Sequence, residues 1–142
     1  MEVDIEQNQI ILKVKSDDKY LKLIRAVIRE VAVIAEFPHK DINDIVLAVD
    51  EACANIIEHT YGGDKTKDIF VKLSLRDGGI EILLRDYGKK LDPVKLWGRK
   101  LDDIKPRGLG IYLMKKVMDS VIYSLDNEDG NELVMVKRLK NP

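Results

Sequence analysis

The sequence predicts an α+β domain of two layers, in which helices pack on one face of a mostly antiparallel sheet. Three stretches carry apolar residues at the three- and four-residue spacing of a helix. Alternating apolar and charged residues surround Asp77-Gly78-Gly79, a pattern typical of a β-hairpin. Because only one face of that hairpin is apolar, we expect a sheet that is covered on one side only.

The composition fits a single domain over residues 1–142, a length that can bury a core without disulfides. Charged residues make up 35% of the chain, but the net charge is only −1. The chain therefore lacks the excess of basic residues that would predict nucleic-acid binding. The chain starts with acidic residues where a signal peptide is basic, and no apolar run approaches the ~20 residues that cross a bilayer. We therefore expect a cytoplasmic protein that binds neither nucleic acid nor membrane.

The first strand and the first helix are predicted from Gln9 to Phe37. A β-branched run over residues 9–15 suits a strand, and Ser16 is expected to cap the helix that follows. That helix ends before Pro38, since proline disfavours helical geometry in the residue before it. Its cations off the apolar stripe form either a solvated face or a docking surface for a protein partner: Lys22, Arg25 and Arg29.

The second helix is predicted from His39 to Thr60, and the glycines after Tyr61 end it. Its core-facing stripe consists of Ile42, Ile45, Val46, Val49, Cys53 and Ile56. The single cysteine, Cys53, lies on this stripe, so a buried thiol is expected there and an internal disulfide is excluded.

Glu51 and Asn55 lie one turn apart on a different face of the second helix. The neighbouring Ala48 and Ala52 are small, so we expect that face to leave room for a ligand. A carboxylate and an amide oxygen so placed can serve a proton and a hard cation. Taken alone, the same pair also fits an ordinary solvated helix surface.

The hairpin strands are predicted at residues 68–76 and 79–85. The pattern then breaks down over residues 86–109, apart from a short helix expected at residues 94–97. An irregular connection of this length inside a compact domain is usually functional or mobile.

A third helix follows Gly110, with apolar positions that run to Val121. Two further strands, at residues 122–125 and 133–139, close the chain. The predicted order is therefore strand, helix, helix, two strands, loop, helix and two strands.

Two glycine sites flank the irregular connection. Asp86 stands where a strand ends and Gly88 follows it, so a carboxylate acceptor lies beside backbone that a flat ring can approach. Further on, Arg107-Gly108-Leu109-Gly110 opens the third helix, where free N–H groups and the helix dipole favour phosphate. Each motif by itself is also common in ordinary turns.

In this order the motifs resemble the Bergerat-fold, or histidine-kinase-like, ATPase superfamily, and more closely the bacterial anti-sigma factor serine/threonine protein kinases. The resemblance covers nearly the whole chain. It is carried by Asp50-Glu51-Ala52-Cys53-Ala54-Asn55, by Arg85-Asp86-Tyr87-Gly88 and by Arg107-Gly108-Leu109-Gly110-Ile111.

The resemblance implies a two-layer Bergerat sandwich that binds ATP and Mg²⁺. It implies that Asn55 coordinates Mg²⁺, that Glu51 takes the proton of the attacking hydroxyl, and that Asp86 accepts the adenine amino hydrogen. Gly88 is implied to pack near the base. The resemblance also implies that Gly108 and Gly110 let the lid and the helix N-terminus enclose the phosphates, and that the nucleotide-binding segment is Arg107, Gly108, Leu109 and Gly110.

The resemblance also implies a homodimer whose partners are a sigma factor and an anti-sigma factor antagonist, which is the kinase's substrate. A non-catalytic ATP-gated binding module is the alternative, and in it Glu51 is dispensable. A plain α+β domain without a ligand also fits the pattern. Histidine kinase activity is disfavoured, because the chain has no helical dimerisation segment with a phospho-acceptor histidine.

Three departures from the family pattern affect the nucleotide site. Lys90 stands where relatives have a second glycine, and it either limits backbone approach or itself reaches phosphate. The glycine-rich loop before Gly108 is reduced to Pro106-Arg107, which suggests a shorter lid. Gly130 is followed by Asn131-Glu132, where many relatives have threonine or serine.

Overall fold

A computed structural model describes residues 1–4, 7–76, 78–89, 110–124 and 130–140. Its strands are β1 (Glu2–Asp4), β2 (Gln9–Lys15), β3 (Asp68–Arg76), β4 (Gly79–Asp86), β5 (Ser120–Ser124) and β6 (Asn131–Arg138). Its helices are α1 (Leu21–Ile34), α2 (His39–Asn55) and α3 (Gly110–Val117), with a 3-10 turn at Asp18–Tyr20 and a π-helical turn at Ile56–Thr60.

The strands form one antiparallel sheet in the order β1-β2-β3-β4-β6-β5. One face of the sheet packs against the helices, so the predicted two-layer α+β fold is confirmed. The short edge strand β1 was not predicted, because its three exposed residues show no apolar alternation. Among the described helices, none combines the length and the apolar character that a membrane crossing requires.

The core lies between α2 and the helix-facing side of the central strands. All six residues of the predicted α2 stripe are buried, and so are alternate residues of β3 and β4. Full burial of one such aliphatic side chain stabilises the fold by about 1.5–3 kcal/mol. The stripe includes Cys53, whose thiol is buried as predicted, and burial raises its pKa to about 12.

The opposite face of the sheet carries charged residues in cross-strand pairs. Lys15 on β2 contacts Asp68 on β3 at 2.8 Å, and Arg76 on β3 contacts Glu81 on β4 at 2.7 Å. These pairs are solvent-exposed, so each contributes little to stability. They agree with a sheet whose second face is only half-buried.

Ser16 does not cap α1, so that expectation is wrong. Asp17 caps the 3-10 turn instead, and its side chain accepts from the Lys19 N–H at 3.1 Å. Ser16 is fully buried, and its hydroxyl donates to the Asp64 carbonyl at 2.5 Å and accepts from the Lys67 N–H at 3.2 Å. The serine therefore joins the end of β2 to the loop before β3 rather than to its own helix.

The ends of α2 and α3 depart from simple helices. After Asn55 the chain continues as the π-helical turn, and Gly62 and Gly63 then end it with positive φ angles. Helix α3 ends at Val117, so Val121, expected on its apolar face, lies instead on β5. The short helix expected at residues 94–97 lies outside the described residues.

Candidate functional site

Asp86 is the last residue of β4 and is 3% exposed. Its Oδ1 atom accepts two hydrogen bonds, from the Gly88 N–H at 3.0 Å and from the Asn131 side-chain amide at 2.9 Å. Burial raises the pKa of this carboxyl, and the hydrogen bonds from Asn131 and Gly88 oppose that rise. The site therefore contains a buried, oriented carboxylate that can accept a further hydrogen bond from a ligand.

The sequence names Asn131 only as a departure from the family pattern and predicts no contact for its side chain. Asn131 opens β6 directly opposite Asp86, is 2% exposed, and also donates to the Lys89 carbonyl at 2.9 Å. One signal for it was present in the sequence. Asn131 precedes Leu133 and Met135 at two-residue spacing, so alternation along the strand predicts a polar side chain on the core side.

Gly88 lies against the end of the second helix. A Cβ atom there would lie 2.4 Å from the Thr60 Cγ2 atom and 3.0 Å from the Tyr61 ring. The Asp86-x-Gly88 turn therefore needs glycine for its own packing on the π-helical turn. This requirement is separate from any approach of a ligand ring.

Tyr61 joins the helix end to the strand ends at the site. Its phenolic oxygen accepts from the Tyr87 N–H at 2.7 Å and donates to the Asp68 carbonyl at 2.6 Å. Burial is the largest influence on the Tyr61 hydroxyl and raises its pKa. In the sequence, Tyr61 stands out only as the residue before the glycines that end the second helix, so this bridge was not predicted.

Glu51 and Asn55 lie half-buried in the last turns of α2, one turn apart as predicted. The expectation that Ala48 and Ala52 leave an open face beside them is wrong, because both alanines are buried in the core. Helix α3 packs against α2, and small side chains on α2 let two helices approach closely. The half-buried pair Glu51 and Asn55 thus borders packed core.

A polar contact joins α1 to α2 beside Glu51. The Arg25 guanidinium lies 2.6 Å from the Asp50 carboxylate, and each side chain is 35% exposed. Arg29 donates to the Asn43 side chain at 2.9 Å. Two cations of α1, Arg25 and Arg29, therefore contact α2. Neither a solvated face nor a docking surface for a protein partner, the two interpretations offered for these cations, had included such contacts.

Helix α3 begins at Gly110, as the last motif predicts. At its other end, the buried Lys137 donates to the Val117 carbonyl at 2.5 Å, a favourable place for a cation at a helix C-terminus. Arg107, Gly108 and Leu109 lie outside the described residues, as does Lys90. The geometry of the predicted phosphate-binding segment is thus described only from Gly110 onward.

The polar groups of the site are the Asn55 amide oxygen and the Asp86 carboxylate. They suit a Mg²⁺ ion bound together with a nucleotide better than a metal ion held by protein atoms alone. Within the described ranges there is no group of three or more His, Cys, Asp or Glu side chains that could hold a metal ion. Mg²⁺ in phosphoryl-transfer sites needs only one or two protein oxygens, because phosphate and water supply the rest. One amide oxygen, from Asn55, is compatible with that arrangement, and the buried Asp86 carboxylate suits an exocyclic amine.

Comparison with known proteins identifies a domain family and several relatives of this chain. The model of the histidine kinase-like ATPase domain matches residues 14–137. Among curated relatives, serine-protein kinase RsbW of Bacillus licheniformis is 31% identical over 124 residues, which cover 82% of this chain and 78% of the relative. Serine-protein kinase RsbW of Bacillus subtilis is 29% identical over 140 residues, which cover 90% and 84%.

Two solved structures share the fold. The RsbU and RsbW domains of a Mycobacterium tuberculosis protein match with a TM-score of 0.70 and 21% identity, covering 94% of this chain and 32% of that one. The SiaB–SiaC complex of Pseudomonas aeruginosa matches with a TM-score of 0.70 and 14% identity, covering 92% and 90%.

Proposed function

The chain belongs to the histidine kinase-like ATPase domain family, and from this premise we propose that it is an ATP-dependent serine/threonine protein kinase of the anti-sigma factor type. The observation that carries the proposal is the buried Asp86 carboxylate, held at the end of β4 by Gly88 and Asn131. The name serine-protein kinase, which its relatives carry, supports the same activity.

Nucleotide binding is assigned to three parts of the chain. Asp86 accepts the adenine amino hydrogen, and Gly88 keeps the backbone beside it free of a side chain. Asn55 contributes its amide oxygen to Mg²⁺. The phosphates are bound by backbone N–H groups before and at the start of α3, with Arg107 adding a charge-assisted contact, in the segment Arg107, Gly108, Leu109 and Gly110.

Phosphoryl transfer is assigned to Glu51. A serine or threonine hydroxyl of the substrate protein attacks the γ-phosphorus, the bond from that phosphorus to the β,γ-bridging oxygen breaks, and ADP leaves. Glu51 takes the hydroxyl proton as the new P–O bond forms. Mg²⁺, when bound, neutralises charge on the phosphates. The protein's part is therefore to orient both reactants and to hold one base.

The partners proposed for this kinase are an anti-sigma factor antagonist, as substrate, and a sigma factor that the unphosphorylated antagonist displaces. We further propose that the chain is one domain, acts as a homodimer and resides in the cytoplasm. The SiaB–SiaC complex, a structure with the same fold and a bound protein, supports a partner-binding role.

The test compares Glu51→Gln with wild type. The amide keeps the size of the side chain but accepts no proton, so transfer of labelled phosphate from Mg-ATP to candidate antagonist proteins is expected to fall about 10²–10⁴-fold. The Kd for Mg-ATP, measured by calorimetry, is expected to stay within roughly threefold, because the base acts mainly in the transition state. Glu58→Gln, at an exposed position in the π-helical turn, is the matched control.

Equal transfer by wild type and Glu51→Gln would contradict the role of Glu51. Absence of transfer by wild type, together with ATP-dependent binding of a partner that Glu51→Gln leaves intact, would instead identify a nucleotide-gated binding module. Failure of wild type to bind Mg-ATP at all would overturn both functions.

A further inference from the structure

The geometry points to Lys137 as the residue that positions α3 and strengthens its attraction for the nucleotide's phosphates; this inference rests on the proposed ATP site. Among the described residues, Lys137 is the only buried cation, with 8% of its surface exposed. It lies on the helix-facing side of β6, with Met135. Burying a charge is costly unless it is compensated, so the partner of the ammonium group indicates its role.

The partner of Lys137 is the C-terminus of α3. Its Nζ atom donates to the Val117 carbonyl oxygen at 2.5 Å, and Val117 is the last residue of that helix. The last carbonyl groups of a helix have no partner within it, and they form the negative end of the helix dipole. Within the part of the chain that the structure describes, no carboxylate forms an ion pair with Lys137. The lysine therefore compensates a helix end rather than an acid.

Two hydrogen bonds of Asp119 hold the chain just after α3 on the same strand. The Asp119 N–H donates to the Val136 carbonyl at 2.9 Å, and the Asp119 carboxylate accepts from the Arg138 N–H at 2.6 Å. Lys137 stands between these two residues of β6. The C-terminus of α3 is therefore a fixed point, from which the helix leads back to Gly110 and the proposed phosphate contact.

The charge of Lys137 also changes what α3 offers at its other end. A helix dipole corresponds to roughly +0.5 of an elementary charge at the N-terminus and roughly −0.5 at the C-terminus. Because α3 has eight residues, its ends are only about 12 Å apart. The negative end then opposes the attraction that the N-terminus exerts on phosphate. A buried cation at the C-terminus cancels that opposition, and salt screens it less than an exposed one.

The base end of the nucleotide site lies far from this lysine. Lys137 pairs with Ile80 on β4, six residues before Asp86, which is about 20 Å along the strand. Adenosine carries no phosphate, so its binding should depend on Asp86 and not on α3. ATP keeps a net negative charge when Mg²⁺ is bound, so its binding should depend on the placement and the field of α3. Lys137 therefore acts on the affinity for the phosphates alone.

The experiment measures the Kd of Mg-ATP by calorimetry and the Kd of adenosine by ligand-observed NMR. Lys137→Met removes the charge and the donor but keeps an unbranched side chain, and we expect it to raise the Kd of ATP about five- to tenfold. The Kd of adenosine should stay within about twofold, because the two sites are distant. Lys137→Arg keeps the charge and a donor, so it should recover most of the ATP affinity.

Lys116→Met is the matched control. It removes the same charge from the last turn of the same helix, but at an exposed position where solvent and salt screen it. The variant should therefore leave the Kd of both ligands unchanged. An equal loss of ATP affinity in Lys116→Met and Lys137→Met would overturn the role of the buried position.

A purely structural role for Lys137 would weaken ATP and adenosine by the same factor or change neither, and either result would overturn the inference. Circular dichroism checks the fold of each variant. If Lys137→Met does not fold, Lys137→Gln, which is polar but uncharged, replaces it with the same expected result; a folded neutral variant with the wild-type ratio of the two Kd values overturns the inference. Failure of wild type to bind ATP, by contrast, would contradict the proposed function itself and the inference with it.

Discussion

The phenolic oxygen of Tyr61 lies 2.7 Å from the backbone nitrogen of Tyr87, one residue beyond Asp86. The same hydroxyl donates to the carbonyl of Asp68, at the start of β3, over 2.6 Å. One side chain thus connects the end of the second helix to both strands of the central hairpin. Because Asp86 and Gly88 flank Tyr87, this hydroxyl also supports the turn that carries the proposed adenine contact.

Tyr61→Phe is expected to lower the free energy of unfolding by about 1–3 kcal/mol, because it leaves the Tyr87 N–H and the Asp68 carbonyl without their part-buried partner. Urea unfolding followed by circular dichroism measures this change. Tyr112→Phe removes the same hydroxyl from an exposed tyrosine of α3 and should have little effect. Equal stability of the two variants would show that the Tyr61 bridge contributes nothing.

Asp86→Asn is expected to change how stability depends on pH. The pKa of Asp86 is raised in the folded protein, chiefly by burial, so the folded state binds this proton more tightly than the unfolded state. As pH rises from the ordinary pKa of the group through its raised folded pKa, the contribution of Asp86 to the free energy of unfolding of wild type must therefore fall. The asparagine variant lacks this titration and should gain stability relative to wild type over that window.

The measurement is urea unfolding of both proteins from below the ordinary pKa of an aspartate up to neutral pH. Asp18→Asn, at an exposed position in the 3-10 turn, controls for the loss of one charge. A stability difference between wild type and Asp86→Asn that stays constant over this range would contradict the raised pKa. In the same variant, ATP binding should be lost if Asp86 has its proposed role.

Gly88→Ala is expected to destabilise the protein by about 1–3 kcal/mol, because the new methyl group would overlap the Thr60 methyl at 2.4 Å. Thr60→Ser removes that methyl and keeps the hydroxyl. We therefore expect the alanine to cost less in a Thr60→Ser background, which a double-mutant cycle of urea unfolding measures as a coupling energy. Thr66→Ser, at an exposed position, should give no such relief, and additive costs at positions 60 and 88 would contradict the contact.

Most elements of the fold were predictable because their signals are local. The first strand is observed over residues 9–15 as predicted, and the hairpin strands lie within a residue of their predicted bounds. Such predictions rest on apolar residues that recur every second residue in a strand, or every three to four residues in a helix. Both patterns are visible within a single element. β1 has only three exposed residues, so it carries no such pattern and was missed.

Contacts between distant residues were less predictable. Ser16 precedes a helix and resembles a cap, yet its hydroxyl bonds to Asp64 and Lys67, about fifty residues away. Ala48 and Ala52 were expected to leave an open face, and they are buried instead. In each case the residue type was correctly noted, but its partner comes from a part of the chain that no local pattern connects to it.

The sequence by itself determined the order of the elements after β1, the apolar stripes and the presence of Asp86 beside Gly88. Only the tertiary structure decided which donors meet the Asp86 carboxylate, because one of them, Asn131, is 45 residues away. Side chains alternate between the faces of a strand, so a slip of one residue in β6 would turn Asn131 to the other side of the sheet. A hydrogen bond at 2.9 Å therefore depends on the register of two strands, and packing of the whole core sets that register.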